Sequence, residues 1–239
     1  MDIAKGFYLG IDIGGTKCAV VAGDSDFQIF QKTQFDTRTA ERGWQYVFEE
    51  FFSNIDLLLL KYPKENLRGI GISCGGPLDS KKGMIYSPPN LPGWDNVPIT
   101  RIFNERFSVP VSIQNDANAC ALAEWLMGAG KGTQNMIFLT FGTGMGSGLI
   151  LNGKLYAGTN DLGGEVGHIR LADDGPVGFG KAGSFEGFCS GGGIAQLAAS
   201  YVINKLKQGA KVNFCDNIES ARKLTAKIIA EAAVSCDAD

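Results

Sequence analysis

Two stretches of this 239-residue chain, LGIDIGGTKCAV (9–20) and LTFGTGMGSGLI (139–150), repeat one arrangement: an apolar strand run, a glycine bend, then a second apolar run. A short glycine-bearing link between strand runs turns a chain back on itself, so each stretch reads as a β-hairpin. Their separation is about half the chain and predicts duplicated halves, each opening with such a hairpin; two unrelated hairpins would give the same spacing. Glycine makes up 33 of the 239 residues, roughly twice the usual share, and shows no G-x-y period. These glycines therefore serve particular tight turns and close backbone approaches.

Between and after the hairpins, strand and helix signals alternate. A third strand run lies near 27–35. Residues 40–61 carry Trp44, Val47, Phe48, Phe51, Phe52 and Ile55 at helical spacing, which predicts a long amphipathic helix. Residues 67–74 read as a strand, followed by the turn-rich GGPLDSKKG and SPPNLPGW. A strand over 109–114 leads into a helix over 117–127 that stops at Gly128, and later helices are expected over 194–206 and 218–234. Strand runs followed by strand–helix alternation belong to the α/β class.

Composition narrows the function. The net charge is -3 and no dense basic block occurs, which argues against nucleic acid as a partner. Residues 1–6 offer no apolar signal region, and no stretch reaches the roughly 18 apolar residues of a membrane span, so no membrane is expected and the cytoplasm is the default compartment. The six cysteines are scattered singly, without a C-x-x-C pair, and read as free buried thiols.

The first bend, D-I-G-G-T-K (12–17), places an acid at a strand end before two glycines, a hydroxyl and an ammonium. Glycines let backbone N–H groups crowd a phosphate, and Asp12 can hold a hydrated Mg²⁺. G-T-G-M-G-S-G (142–148) offers a second cradle. Neither is a better-known motif. Residues 10–17 end in G-T-K where a Walker A loop needs G-K-[ST], and Ser147 occupies the final glycine position of a dinucleotide fingerprint. Gly71-Ile-Ser73-Cys-Gly75 matches a hydrolase nucleophile elbow, with Asp116 and His168 following in order, but a turn follows it where an elbow requires a helix.

Asn115-Asp116-Ala117-Asn118 sits at a strand-to-helix junction. Helix capping explains one polar residue there, but not three. An Asp so placed can accept the proton of a hydroxyl as its oxygen attacks a phosphoryl group. His168 is the single histidine and would be a structural residue by itself. Its setting, G-E-V-G-H (164–168) with Glu186 downstream, groups carboxylates and an imidazole on glycine-supported loops, which suits a polyhydroxyl ligand.

In order, D-I-G-G-T-K, G-G-P-L-D, S-P-P-N-L-P-G-W, N-D-A-N-A, G-T-G-M-G-S-G and G-E-V-G-H resemble the ROK family of sugar kinases and related repressors, over about 7–199, with nearest kinship to glucokinase-like members. The resemblance implies an α/β, actin/hexokinase-like (ribonuclease H-like) fold. Its two domains, 1–115 and a C-terminally incomplete 116–239, would flank an interdomain cleft. It implies ATP- and Mg²⁺-dependent phosphorylation of a hexose, glucose at its 6-hydroxyl being the first expectation, and a homodimer as the commonest assembly. By motif, Asp116 would be the catalytic base. Asn115, Glu165, His168 and Glu186, with Asn90 and Gly76, would hold the sugar. Asp12, Gly14, Gly15, Thr16, Lys17, Gly142, Thr143 and Gly144 would serve the nucleotide.

Two departures stand out. Where the family carries C-x-C-G-x-x-G-C-x-E, this chain has Val177, Phe179 and Ser184 at the cysteine positions, so no zinc is expected. The loop should then hold its shape by packing, through Phe179 and Phe185, with another partner fixing His168. The chain also lacks the family's further helix, strand and adenosine-binding loop. That implies exposed apolar surface and keeps a non-catalytic sugar-binding or regulatory module as the alternative; the early arrival of Asp12 leaves no room for a DNA-reading segment.

Overall fold

The structure is a computed structural model and describes residues 6–235. The signal-region reading of 1–6, apart from Gly6, and Cys236 lie outside the described residues. By Cα packing the chain forms two compact units: 1–132 with 157–163, and 133–156 with 164–239.

The first unit is built on a five-stranded sheet. Strands β1 (Phe7–Ile13), β2 (Lys17–Gly23) and β3 (Ile29–Asp36) form an antiparallel meander. After helix α1 (Thr39–Lys61), strand β4 (Leu67–Cys74) pairs parallel with β1. The chain then makes a small ribbon of β5 (Leu78–Asp79) and β6 (Met84–Ile85), passes through helix α2 (Ile99–Phe107) and adds β7 (Val111–Asn115) parallel to β4. Helix α3 (Asp116–Leu126) follows at once. The strand order is β3-β2-β1-β4-β7. A division at 115/116 falls at the β7–α3 junction within this unit.

Alternation along β1 shows why the sheet has one dry face. Phe7, Leu9, Ile11 and Ile13 are buried in one cluster with Val47, Phe48, Phe51 and Ile55 of α1 and Phe103 and Phe107 of α2. Tyr8 and Asp12, one residue out of phase, are exposed on the opposite face, as the two-residue period of a strand requires. Functional side chains can sit on that second face without disturbing the core.

The second unit opens with the antiparallel hairpin β8 (Met136–Phe141) and β9 (Met145–Leu151), extended by β10 (Lys154–Leu155). A second hairpin, β11 (Val177–Gly178) and β12 (Lys181–Ala182), leads into α4 (Phe185–Cys189), α5 (Gly191–Lys207), α6 (Ile218–Ala221) and α7 (Ala226–Val234). Its buried cluster is small, centred on Val202, Val212 and Leu224. In the three-stranded sheet β8 is an edge, and Ile137 (62%) and Phe141 (53%) are exposed.

Several expectations are corrected. The 40–61 helix begins at Thr39 and contains a non-helical Gly43 (φ 78°, ψ 171°). The 218–234 helix is two helices: Thr225 is extended and its hydroxyl accepts the Ile228 N–H, so a new N-cap starts α7. The cysteines are not uniformly buried, since Cys120 is exposed on α3 and Cys189 partly so; Cys18, Cys74 and Cys215 are buried, and all five are free thiols. Ser73 lies inside β4, and the short strand β5 follows where a nucleophile elbow would need a helix.

Among the described residues, no helix is long and apolar enough to cross a membrane.

Candidate functional site

The first glycine bend is closed by its own backbone and by the end of β3. Gly14 N–H donates to the Lys17 carbonyl (3.1 Å), Thr37 N–H to the Thr16 carbonyl (2.9 Å), and the buried Thr37 hydroxyl to the Gly14 carbonyl (2.6 Å). These bonds occupy carbonyls. No backbone partner is taken by the Gly15 or Thr16 N–H among the described residues, which leaves them available to an anion. Lys17 opens β2 opposite Asp36 of β3, and both Thr16 and Lys17 are exposed.

The loop SPPNLPGW is brought to this bend by apolar packing. Leu91 and Trp94 are fully buried, and the Trp94 indole donates to Thr39 Oγ1 (2.7 Å). With its neighbours sunk into the core, Asn90 is held against Gly15: a Cβ on Gly15 would lie 2.8 Å from Asn90 Cβ and 2.9 Å from its carbonyl oxygen. Only glycine fits there. Asn90 Oδ1 and Asp116 Oδ2 both approach Gly75, at 3.7 and 4.0 Å from where its Cβ would stand, and Asn115 Nδ2 approaches Gly76 at 3.7 Å from the equivalent point. The structure thus brings Gly15, Gly75, Gly76, Asn90, Asn115 and Asp116 close together in the first unit.

Asp12 joins them through strand register. Parallel pairing of β1, β4 and β7 sets Asp12, Ser73 and Gln114 in one row and Ile13, Cys74 and Asn115 in the next. Ser73 stands beside Asp12 in this row and favours the charged form of its carboxylate. Although Asp12 is exposed as a residue, loss of water around its carboxyl raises its pKa. The Asp116 charge adds to that rise, while Ser73 and Lys32 oppose it. An oxygen donor set that gains from a nearby cation fits Mg²⁺, which takes one or two carboxylates and completes its shell with water and phosphate.

Asn115 has a double task. Its Oδ1 caps α3, accepting the N–H of Ala117 (3.0 Å) and Asn118 (3.4 Å), so only Nδ2 remains for a ligand. Asp116 also accepts the Ala117 N–H, through Oδ1 at 2.8 Å, which fixes its carboxylate and leaves Oδ2 on the Gly75 side. Behind them Gln114 Oε1 accepts from the Asn115 N–H (3.0 Å) and from Asn118 Nδ2 (3.2 Å). Asn118 is 1% exposed and its Oδ1 has no partner among the described residues.

The remaining candidates fall in the second unit. The second bend is closed by Gly142 N–H on the Gly144 carbonyl (2.9 Å), and its carbonyls at 142 and 143 accept the first two N–H groups of α5. Glu186, at the second position of α4, reaches this bend: Oε2 accepts the Met145 N–H (3.0 Å) and stands 3.0 Å from where a Gly144 Cβ would be. One carboxylate oxygen therefore orders the hairpin and the other remains for a hydroxyl. Glu165 and His168 flank a short 3-10 turn, with Glu165 Oε2 3.9 Å from His168 Nε2. The imidazole stacks on Phe179 (centroids 5.1 Å apart, 20° between planes), and Lys181 Nζ donates to the His168 carbonyl (2.6 Å). Phe185 packs on Phe141 instead (6.5 Å).

Sequence reasoning missed Ser73 as the partner of Asp12, Thr37 as the bolt of the first bend, and the Gln114–Asn118 pair. Only the last carried a signal, a glutamine and an asparagine four residues apart at a helix start. A cavity of about 720 Å³ in the first unit, lined by Tyr8, Gly10, Phe27, Gly69 and Met127 among others, contains none of the candidate residues and is largely apolar.

The sequence profile of the ROK family matches residues 8–238. A glucokinase of Halalkalibacterium halodurans is 32% identical over 236 residues, covering 97% of this chain and 70% of that one. A glucokinase of Thermotoga maritima is 35% identical over 169 residues, covering 71% of this chain and 52% of that one, so this chain spans about half of it. A solved ROK family glucokinase from Streptomyces griseus, in complex with glucose and AMPPNP, superposes with a TM-score of 0.68 at 30% identity, covering 97% of this chain and 72% of that one. The fold is α/β, of the actin/hexokinase-like class.

Proposed function

The chain belongs to the ROK family, and from that membership we propose that it transfers the γ-phosphoryl group of ATP to a hexose, glucose at the 6-hydroxyl being the first candidate. The observation that carries this reading is the convergence of Asp116 Oδ2 and Asn90 on Gly75, with Asn90 also held against Gly15 of the glycine bend. A base, an amide and a phosphate cradle are the parts that phosphoryl transfer to an alcohol requires.

In this mechanism the hydroxyl of the sugar hydrogen-bonds to Asp116. As its oxygen forms a bond to the γ-phosphorus, the bond to the ADP oxygen breaks and the hydroxyl proton passes to Asp116. General-base help of this kind is worth on the order of 10²–10⁴-fold. Asn115 Nδ2, Asn90 and the Gly76 backbone orient the sugar, as do Glu165, His168 and the free oxygen of Glu186. The amides of Gly15 and Thr16 and the Lys17 ammonium receive phosphate oxygens, as do those of Thr143 and Gly144. Asp12, beside Ser73, would hold Mg²⁺, which supplies positive charge to the phosphates when bound.

Coupled ADP release across a hexose panel, with Asp116→Asn as comparison, tests the proposal. A loss of about 10²-fold or more in kcat is expected; equal rates in the two proteins would remove Asp116 as the base. Calorimetry that finds hexose binding without ATP binding would instead support a sugar-binding or regulatory role.

A further inference from the structure

The β11–β12 hairpin contains a residue that its turn does not want. Gly178 pairs with Lys181, leaving the two-residue loop Phe179-Gly180, with φ of 45° and 74°. Two positive φ values in such a loop make a type I′ turn, which favours asparagine, aspartate or glycine at the first place. Phenylalanine there is strained, and the residue is 70% exposed, so neither turn chemistry nor burial accounts for it. What the ring does contact is His168, face to face.

The rest of the hairpin is held as if to present that contact. Gln196 of α5 clamps Val177 from both sides of its amide, accepting the Val177 N–H and donating to the Val177 carbonyl, each at 2.9 Å. Gly178 lies so close to α4 that a Cβ would stand 2.5 Å from the Gly187 nitrogen and 2.8 Å from Glu186 Cβ. Lys181 bonds the His168 carbonyl. A zinc ion needs about four Cys, His or carboxylate ligands. Residues 177–184 are Val, Gly, Phe, Gly, Lys, Ala, Gly and Ser, which include none, and Lys181 puts an ammonium beside His168. The residues do not fit zinc.

We propose that Phe179 is a positioning residue, which fixes the plane of the His168 imidazole for hydrogen bonding to a sugar hydroxyl, and that Lys181 and the Gln196 clamp hold this loop without a metal. The proposal rests on the reading of His168 as a sugar ligand. The stack confines an otherwise half-exposed ring, so its nitrogens point in one plane before the sugar arrives, and less freedom is lost on binding.

The full-length chain with Phe179→Asn provides the test, because asparagine suits the turn while lacking the ring. Its melting temperature should be no lower than that of the unaltered chain, and its affinity for glucose by calorimetry should fall roughly three- to tenfold. Phe179→Tyr should restore the affinity. His168 is the sole histidine, so its Cε1–H and Cδ2–H proton resonances stand alone and should move downfield in Phe179→Asn as the ring current is lost. Unmoved resonances overturn the proposal, as does glucose affinity equal to that of the unaltered chain. So does weakened glucose binding of the unaltered chain after treatment with 1,10-phenanthroline. An unaltered chain that binds no hexose while the histidine resonances shift as expected would sink the sugar-site reading and leave the stack standing. Should Phe179→Asn fail to fold, Phe179→Leu takes its place in the resonance and affinity measurements, with the same outcomes deciding.

Discussion

Asn115 allows its two tasks to be separated by one atom. Its Oδ1 caps α3 through the Ala117 and Asn118 N–H groups, whereas its Nδ2 faces Gly76. Asn115→Ala removes both functions. Loss of an N-cap costs about 1 kcal/mol, which for a chain of this length lowers Tm by about 2–4 °C. The Asp116 carboxylate also receives the Ala117 N–H, so the cost should lie toward the lower end. Asn115→Ser keeps a good cap but is too short to reach a ligand, so its Tm should stay within about 1 °C of the unaltered chain. On the proposed role of Asn115 both variants lose one hydrogen bond to the sugar, worth about 1 kcal/mol, and should bind glucose about fivefold more weakly. Thermal melts and calorimetry on the three proteins decide. A serine variant that binds glucose as well as the unaltered chain would make Asn115 a cap and nothing more; one that melts as low as the alanine variant would refute the capping argument.

Three more outcomes are expected. Asp12→Asn removes a carboxylate whose folded-state pKa is raised, so the variant should melt higher at pH 7. That gain is full above the folded pKa, shrinks as pH falls through it and disappears below the unfolded value of 3.8, as melts from pH 8 to pH 3 would show, while the proposed kinase activity should be lost. Gly15→Ala drives a methyl into the Asn90 backbone and should cost about 1–3 kcal/mol by urea titration, whereas Gly71→Ala, with no atom within 4 Å of its Cβ, should change stability by about 0.5 kcal/mol or less. The exposed edge strand β8 invites pairing between copies, so light scattering should show concentration-dependent association that Leu139→Lys reduces; an unchanged profile would move the contact elsewhere.

Much of the framework is local in origin and was open to reading from residue order. Both glycine hairpins, the 67–74 strand and the strand-to-helix step at Asn115-Asp116 follow from short-range turn, strand and capping preferences. The absence of zinc donors from 177–184 is equally a property of the string. Where local preference is weak the reading erred, as at Thr225, where an apolar run looks like one helix until a hydroxyl caps a second.

The pairing of distant residues was decided by tertiary structure. Ser73 meets Asp12 because β1 and β4 are parallel in one register, and a one-residue slip would turn Ser73 into the core. Asn90 meets Gly15 because Leu91 and Trp94 are drawn into the core that the sheet forms with α1 and α2. Phe179 meets His168 because a strained two-residue turn aims it there. None of these contacts is encoded by spacing along the chain, since each depends on which buried surfaces pack together. Residue order supplied the chemical groups, and packing chose their partners.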